Sequence, residues 1–575
     1  MQPAVPPEGR LEVGSLAPAL GVLASAVPLL LLAPIELIGY DAFWHVFIAR
    51  QDRWLNLWEQ IGNNAHPPLF YLCLRAAIAV FGTNAVTYRL VSVAASLAAT
   101  WLVGRIAWRA TGRPWLSAAA AFSFGTSLTT VTIGLDVRPY ALATFFMLWA
   151  CLALSDLVAR GLDSPNHRPR VIFAVMTSLA LMTHYGAALF LASSGAACLL
   201  LVVVDPEHRR GLARAGLQWR ANLLTFAVPS GVFAVEYVVH VAAWGRRGLN
   251  HTTAFLFNPV RESAPAFLWR NTQAFFELLL PPFDYRPFAT TLVARGPALS
   301  DGMVGVLVAA SLAGILWLVR RPAPAGRAGF AVRRLPPALL ALMAGVLVVL
   351  ALGGRYPYGG TLRHQYFLFP FVIVVLAQLV SELAGMAGHR AARTAVGLFA
   401  LAGVLNVANW ATQFQPTRGY LWQAQIDRFR NAFPSAEAVY VDQFNLINLF
   451  THHHDAQWRF IRSLPGNGAV DVWRVDGPGG RAFYVCRDRA QWQLNLANRA
   501  TYQRIAGCLE ATGTPRVVVF RPQQQGIRAT WPLDRTEALL AEGAAAAGLV
   551  AEKLVLNGED VTVSLSRGDT VKSPR

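Results

Sequence analysis

The feature that most limits what this chain can fold into is a series of long apolar runs. A helix needs about 20 predominantly apolar residues, or about 17 at the short end, to cross a lipid bilayer. The runs that meet or approach this length lie at residues 15–38, 85–104, 115–134, 140–158, 171–184, 186–204, 222–243, 303–319, 336–353, 367–384 and 393–411. The sequence therefore predicts a mainly α, polytopic membrane protein with about 11 transmembrane helices.

The positive charge of the chain predicts how these runs are oriented. The net charge is +18, and arginine carries nearly all of it, because Lys553 and Lys572 are the only lysines. Short cytoplasmic loops of membrane proteins collect basic residues. Arginine clusters recur in alternate connections, at residues 105–113, 160–170, 209–220, 320–334 and 390–393. We therefore expect a cytoplasmic N-terminus and an extracytoplasmic C-terminal segment.

The connections between the arginine clusters are expected on the outer face. They are the long segments 39–84 and 244–302, the loop 354–366, and the short turns around Arg138 and His184. A soluble protein of this charge would suggest a nucleic-acid partner, but no basic stripe with interleaved aromatic residues occurs. The expected partner is the membrane bilayer and not nucleic acid.

A change in composition near residue 412 predicts two domains. Residues 1–411 form the transmembrane domain, and residues 412–575 form a smaller extracytoplasmic α/β domain. The expected elements are a strand and helix in AEAVYVDQFNLINLFTHHH, a strand at RVVVF, a helix and strand in RTEALLAEGAAAAGLVAEKLVL, and a strand at DVTVSLS. Cys486 and Cys508 either form a disulfide or stay reduced, because the sequence does not give the distance between them.

The first outer loop, residues 39–84, contains the most informative pattern. After Asp41, bulky apolar residues recur at three- and four-residue steps up to Ile61, opposite a polar face. This spacing predicts an amphipathic helix at the membrane surface. The following HPPLFYLCLRAAIAVFG is too short for a span and would reverse the alternation of arginine clusters, so we expect a second helix lying partly in the membrane.

Several motifs of this region resemble one known family. They are Asp41 after the first span, the amphipathic helix, HPPLFY, the Arg89-Leu90-x-Ser92 step, RPYAL after the third span, and RHQYFLFP before a late span. This combination is similar to the GT-C superfamily of polyprenyl-phosphate-sugar glycosyltransferases, including the protein O-mannosyltransferases and the aminoarabinose transferase of lipid A. The resemblance covers about residues 36–160. One departure is Ala42, where the protein mannosyltransferases have a second acidic residue.

The resemblance implies a GT-C fold and an enzyme of the bacterial inner membrane, with its C-terminal domain in the periplasm. It implies the transfer of a hexose or pentose from a polyprenyl-phosphate carrier to lipid A or lipopolysaccharide, another glycan, a lipid or a protein. The stereochemical outcome is inversion, and Asp41 is the implied general base. His66, Asp136, Arg138 and Tyr140 are the implied substrate-binding residues.

Residue chemistry independently favours the same roles. A sugar phosphate already has a good leaving group, so one carboxylate that deprotonates the acceptor hydroxyl is sufficient. The departing phosphate needs cations or hydrogen-bond donors, and the planar fork of arginine suits it. Arg138, Arg355, Arg363 and His364 all lie in predicted outer-face turns. Two alternatives stay open for a cofactor, because Asp41 and Asp136 could share a divalent cation or work without one.

Simpler interpretations of these residues remain open. Asp41 could cap the helix that follows it, since aspartate is a favoured N-cap. His66 could merely precede the Pro-Pro helix break, and the arginines could anchor lipid headgroups. An alternative function is a flippase or transporter of lipid-linked saccharides, although no second copy of the segment 41–71 occurs, as internal repeats would require. A third is an inactive scaffold whose outer domain binds a partner.

Overall fold

The structure is a computed structural model that describes most of the helical part and the main elements of the C-terminal part. Apart from isolated positions, the described ranges are 13–34, 40–204 (without 52, 63 and 162–163), 219–242, 256–279, 327–358, 362–386, 438–442, 459–464, 470–476, 482–488, 494–521, 536–557 and 560–568.

Helices dominate the first four hundred residues. The first ten are α1 Val13–Leu32, α2 Tyr40–Ala49, α3 Trp54–Gly62, α4 Leu69–Phe81, α5 Ala85–Thr111, α6 Pro114–Thr126, α7 Leu128–Leu135, α8 Tyr140–Arg160, α9 Arg168–Leu181 and α10 Ala187–Val204. They are followed by α11 Trp219–Glu236, the π-helical turn Tyr237–Val241, α12 Ala264–Leu279, α13 Arg327–Leu352, the 3-10 turn Leu362–His364 and α14 Tyr366–Met386, which begins as a 3-10 turn.

Five described helices are long and apolar enough to cross a membrane, or six if one bent pair counts as a single span. They are α5, α8, the stretch Arg220–Val241 that includes most of α11, the stretch Arg333–Leu352 within α13, and α14. Each overlaps a predicted span. The helices α1, α9 and α10 correspond to three further predictions, but α9 is only 14 residues long. The predicted spans 303–319 and 393–411 lie largely outside the described residues.

The predicted third span, residues 115–134, is a broken helix in the structure. Helices α6 and α7 meet at an angle of 56°. Ser127 lies at the break, where its hydroxyl donates to the Phe124 carbonyl (2.7 Å) and accepts from the Thr130 N–H (3.1 Å). A single serine thus satisfies backbone groups that the bend frees, as a break at membrane depth requires.

The predicted amphipathic helix after Asp41 is two helices, and only the second has an exposed apolar face. In α3, the Trp54, Leu55 and Trp58 side chains are exposed, which fits a membrane-surface helix. In α2, by contrast, the bulky side chains are buried. The break follows from Arg75 of α4, whose guanidinium donates to the Ala49 carbonyl at 3.0 Å and also to that of Gln51. Helix α4, 13 residues long, is shorter than a span, as expected.

The chain divides into two compact units. The helical unit comprises Met1–Pro34, Ile61–Cys73 and Arg89–Phe414, and the sheet unit comprises Ile35–Gln60, Leu74–Tyr88 and Gln415–Arg575. The sheet unit therefore includes much of the first outer loop. That residues 1–411 and residues 412–575 form two separate domains remains a prediction.

Helices of the helical unit approach each other closely at small residues. A Cβ added at Gly21 of α1 would lie 2.5 Å from the Ala121 Cβ of α6, and one added at Gly125 would lie 2.7 Å from the Thr100 Cγ2 of α5. Such close backbone approach is how membrane helices gain dispersion contacts without a hydrophobic driving force.

The sheet unit contains a seven-stranded mixed sheet in the order β2-β3-β4-β1-β5-β7-β6. The strands are β1 Ala438–Asp442, β2 Arg459–Leu464, β3 Val470–Asp476, β4 Ala482–Asp488, β5 Arg516–Arg521, β6 Leu549–Asn557 and β7 Asp560–Arg567. β1 runs parallel to β4 and β5, and the other pairs are antiparallel. Two helices, α15 Arg499–Thr512 and α16 Thr536–Ala546, complete the described elements.

The predicted strands at β1, β5, β6 and β7 and the predicted helix at α16 are confirmed, and the α/β class with them. The helix predicted after β1 lies outside the described residues. Strands β2, β3 and β4 and helix α15 were not predicted from the sequence.

Cys486 and Cys508 form a disulfide that joins β4 to α15, with 6.0 Å between the two Cα atoms. Both residues are fully buried in the core between the sheet and its helices. Disulfides persist in oxidising compartments and are rare in the cytosol. The bond therefore agrees with the expected extracytoplasmic position of this part of the chain.

Replacing both Cys486 and Cys508 by alanine is expected to lower the free energy of unfolding of the sheet unit by about 3 kcal/mol, because the cross-link restricts the unfolded chain. Chemical unfolding followed with and without reductant measures the effect. Cys73→Ala, which removes a free cysteine, is the control. Thiol titration of the unreduced, unfolded protein should find three free thiols among five cysteines; five would contradict the bond.

Candidate active site

The turns predicted on the outer face converge on one buried guanidinium, that of Arg138. An Arg138 terminal nitrogen (Nη2) donates to the Tyr140 hydroxyl at 3.0 Å and lies 3.4 Å from Nε2 of His66. The His184 ring lies 5.6 Å from the His66 ring and 5.1 Å from the Tyr140 ring. We call His66, Arg138, Tyr140 and His184 the Arg138 cluster. It unites the HPPLFY motif, the RPYAL motif and the turn between α9 and α10.

The backbone that carries Arg138 is held by the Arg-Leu-x-Ser step of α5. The Ser92 hydroxyl donates to the Arg138 carbonyl at 3.3 Å, and the Arg89 guanidinium donates to the Leu135 carbonyl at the end of α7 at 2.9 Å. The Arg138 N–H donates to the Asp136 carbonyl at 2.8 Å. These contacts fix the short connection between α7 and α8, so the guanidinium has a defined position.

Two tyrosines border the cluster, and neither was named as a site residue from the sequence. Tyr71, the last residue of HPPLFY, is fully buried; burial raises the pKa of its phenol, and the neighbouring Arg138 opposes that effect. Tyr356 lies beside His184, because a Cβ added at Gly186 would be 2.8 Å from both the Tyr356 hydroxyl and the His184 Nδ1. Gly186 is thus required for this close approach.

Tyr356 links the cluster to the loop 354–366. Its hydroxyl donates to the His364 carbonyl at 3.3 Å, and Gln365 donates to the Pro357 carbonyl at 2.9 Å. Arg363 is half-buried beside His364, whereas Arg355 is exposed directly after α13. The structure thus brings His66, Arg138 and Tyr140 together and links His364 to them through Tyr356.

The two acidic candidates differ in what the structure describes. Asp136 caps the C-terminus of α7 through its backbone, and its side chain is half-buried. Asp41 is the second residue of α2, and its side chain lies outside the described part of the chain. Among the described residues, no group of three or more His, Cys, Asp or Glu side chains could hold a metal ion. The role of a divalent cation stays open.

Electrostatics make His184 a neutral member of the cluster. Burial, and secondarily the positive charge of Arg138, lowers the pKa of His184 to about 4. The Gly186 N–H donates to its Nδ1 at 3.0 Å, so the ring carries its proton on Nε2. Near neutral pH the site therefore presents a guanidinium, a neutral imidazole and a phenol hydroxyl, which together suit an anion such as phosphate.

The His184 pKa predicts how stability depends on pH. Because the folded-state pKa is below the unfolded value of 6.5, its stabilising contribution is complete above pH 6.5 and is lost as the pH falls towards about 4. His184→Gln should therefore lose less thermal stability than the wild type between about pH 7.5 and about pH 5. His167→Gln, at an exposed histidine, is the control and should follow the wild type. Equal losses for wild type and His184→Gln would contradict the shifted pKa.

Part of the sequence that contains this cluster matches a known protein family. Residues 65–234 match the family model described as dolichyl-phosphate-mannose-protein mannosyltransferase. All four residues of the Arg138 cluster lie within that match. This region belongs to the GT-C glycosyltransferases. The chain is accordingly an enzyme, a membrane glycosyltransferase.

A comparison with curated protein sequences finds no match. Two solved GT-C glycosyltransferases resemble the chain weakly. The oligosaccharyltransferase AglB from Archaeoglobus fulgidus, in complex with an inhibitory peptide and a dolichol-phosphate, has a TM-score of 0.45 and 13% identity over 88% of this chain and 69% of its own. ArnT from Cupriavidus metallidurans, bound to undecaprenyl phosphate, has a TM-score of 0.47 and 13% identity over 97% of this chain and 99% of its own. These likenesses are too low to define the site of this chain.

Proposed function

We propose that this glycosyltransferase moves a sugar from a polyprenyl-phosphate carrier to an acceptor at the outer face of the bacterial inner membrane. The observation that supports this most is the Arg138 cluster, a buried guanidinium beside two histidine rings and a tyrosine hydroxyl inside the family-matched region. The family model's name specifies a donor in which mannose is linked through phosphate to an isoprenoid. The planar guanidinium of a buried arginine is suited to that phosphate, because its donors match two phosphate oxygens at once.

On the donor side, Arg138 binds the phosphate and neutralises the charge that develops as the sugar leaves. The Tyr140 hydroxyl accepts a hydrogen bond from Arg138, so its own proton remains to donate to a phosphate oxygen. His66 lies beside Arg138 and Asp136 is in the same turn as Arg138, so we assign both to substrate binding, together with Arg355, Arg363 and His364 of the loop 354–366. Preorganised donors of this kind are usually the largest contribution to such catalysis.

On the acceptor side, Asp41 acts as the general base that deprotonates the attacking hydroxyl. A single displacement with one base inverts the configuration at the sugar carbon, unlike a double displacement through a covalent intermediate. The acceptor is lipid A or lipopolysaccharide, another glycan, a lipid or a protein.

Charge and redox chemistry both support the proposed orientation. The arginine-rich connections favour a cytoplasmic N-terminus. The Cys486–Cys508 disulfide favours a periplasmic C-terminal part, because the bond would not persist in the reducing cytosol.

Reconstitution into vesicles with a radiolabelled polyprenyl-phosphate sugar distinguishes the possible functions. The enzyme should consume the donor and release polyprenyl phosphate when a membrane lipid or lipopolysaccharide extract is supplied. A flippase would move the label between leaflets without cleaving it, and a scaffold would do neither. Mass analysis of envelope glycolipids from a strain lacking the gene would then identify the acceptor.

A further inference from the structure

The sheet of the C-terminal part has two buried faces of different composition. Side chains alternate between faces along a strand. Tyr440, Val472 and Cys486 lie on the face that forms the apolar core with α15 and α16. The opposite face carries Asp471 and Trp473 of β3 and Arg487 of β4. Across the two strands, Asp471 lies opposite Arg487, and Trp473 lies opposite Val485. This second face is buried as well, although it contains an ion pair.

Helix α2 covers part of that second face. The Phe47 ring meets the Trp473 ring edge-on at 5.9 Å between centroids. The Arg487 guanidinium lies 5.6 Å from the centroid of the Trp44 ring and 5.0 Å from that of Trp473, while its Nε donates to Asp471 at 2.9 Å. The Arg487 guanidinium therefore contacts one indole of α2 and one of the sheet, and its charge is satisfied by Asp471. Cation–π contacts of desolvated arginine are among the stronger ones.

A second arginine holds the other end of α2. Arg75 of α4 donates to the carbonyls of Ala49 and Gln51 and lies over the Trp54 ring at 4.8 Å from its centroid. A cation at the C-terminus of a helix stabilises its last carbonyls. All of these residues belong to the sheet unit, so α2 is a fixed part of that unit.

Asp41 is the second residue of α2, three residues before Trp44 and therefore nearly one helical turn away. We propose that Arg487 is a positioning residue for Asp41, acting through Trp44 to hold α2 against the sheet. The sheet then takes part in catalysis, because it determines the position of the general base. This inference rests on the proposed function, which assigns that role to Asp41.

Two substitutions test the contact from its two sides. Trp44→Leu removes the ring that contacts Arg487 but leaves the Arg487–Asp471 pair intact, so the sheet should stay folded. We expect its kcat to fall about 10- to 100-fold, the cost of a small misplacement of a reacting group, with the donor KM little changed. Trp44→Phe keeps an aromatic face and should restore most of the rate. Arg487→Gln should lower kcat in the same way, although it also leaves Asp471 buried without its cation.

Matched controls separate positioning from general damage. Trp58→Leu changes an exposed tryptophan on the neighbouring α3, and Arg516→Gln changes an exposed sheet arginine that lies 3.7 Å from Glu552. Both should keep the wild-type kcat. Hydrogen exchange of the α2 amides should be faster in Trp44→Leu and Arg487→Gln than in the wild type, and unchanged in the two controls.

The outcomes distinguish this inference from the proposed function. If Asp41→Asn is inactive while Trp44→Leu keeps full kcat, or if Trp44→Phe is as slow as Trp44→Leu, the positioning role is wrong and the function stands. If Asp41→Asn keeps full kcat, the proposed base is wrong. In that case, faster exchange of α2 in Trp44→Leu would show only that the sheet holds the helix.

Discussion

Asp41→Asn is expected to slow sugar transfer by roughly 10²- to 10⁴-fold, the usual contribution of a positioned general base. Asparagine has nearly the same shape as aspartate but cannot accept the proton of the acceptor hydroxyl. The rate is measured as donor cleaved per enzyme in reconstituted vesicles at saturating acceptor. Donor binding should change little, because the carboxylate acts on the acceptor.

The same substitution separates catalysis from helix capping. Asp41 is the second residue of α2, so a role confined to stabilising the helix N-terminus would make Asp41→Asn cost at most about 1 kcal/mol of stability and leave the rate unchanged. Asp156→Asn is a suitable control, because Asp156, in the last turns of α8, pairs with Arg109 of α5 at 2.7 Å on the side predicted to be cytoplasmic. If Asp41→Asn retained the wild-type rate and an alanine variant lost stability instead, Asp41 would only stabilise the N-terminus of α2 and another group would have to be the base.

The sequence predicted well those features that depend on local composition. The length of the apolar runs predicted the positions of helices α5, α8, α13 and α14. The alternation of arginine clusters predicted that the turns at Arg138, His184 and 354–366 lie on one side of the membrane. The structure joins these three turns through His66, Tyr140 and Tyr356. The predicted topology alone therefore placed these three turns on the same side of the membrane, although they are far apart in the sequence.

Features that depend on single long-range contacts were not predictable. The end of α2 is set by Arg75, which is 26 residues from Ala49 in sequence. Tyr356 joins the site because Gly186 leaves space for it, a requirement that no local pattern reveals.

Buried charged residues explain why strands β3 and β4 were not recognised in the sequence. Asp471 and Arg487 occupy interior positions of β3 and β4, so these strands show neither the continuous apolar run that identified β5 nor the regular alternation that identified β7. The two charges pair with each other, and such pairing is what makes a buried charge tolerable. The charged residue Arg487, which made β4 hard to recognise, is thus also the residue that contacts Trp44.

Arg138→Ala is expected to lower kcat/KM for the donor by about 10²- to 10³-fold, the typical cost of removing one preorganised donor to developing charge. Arg138→Lys keeps a positive charge but not the planar fork, so it should recover only part of that loss. Tyr140→Phe removes one hydroxyl and keeps the ring that packs beside Arg138 at 5.3 Å, so its effect should be smaller.

Inhibition by free polyprenyl phosphate shows whether these losses concern the phosphate itself. Its inhibition constant should rise in Arg138→Ala in parallel with the loss of kcat/KM, while the KM for the acceptor stays near the wild-type value. Arg170→Lys is a matched control, because Arg170 is equally buried but donates to the Ser164 and Asn166 carbonyls and to Asn222 in the predicted cytoplasmic half. A variant of Arg138 with weakened acceptor use and unchanged inhibition by polyprenyl phosphate would mean that this guanidinium holds the acceptor, and the assignment of donor and acceptor sides would have to be reversed.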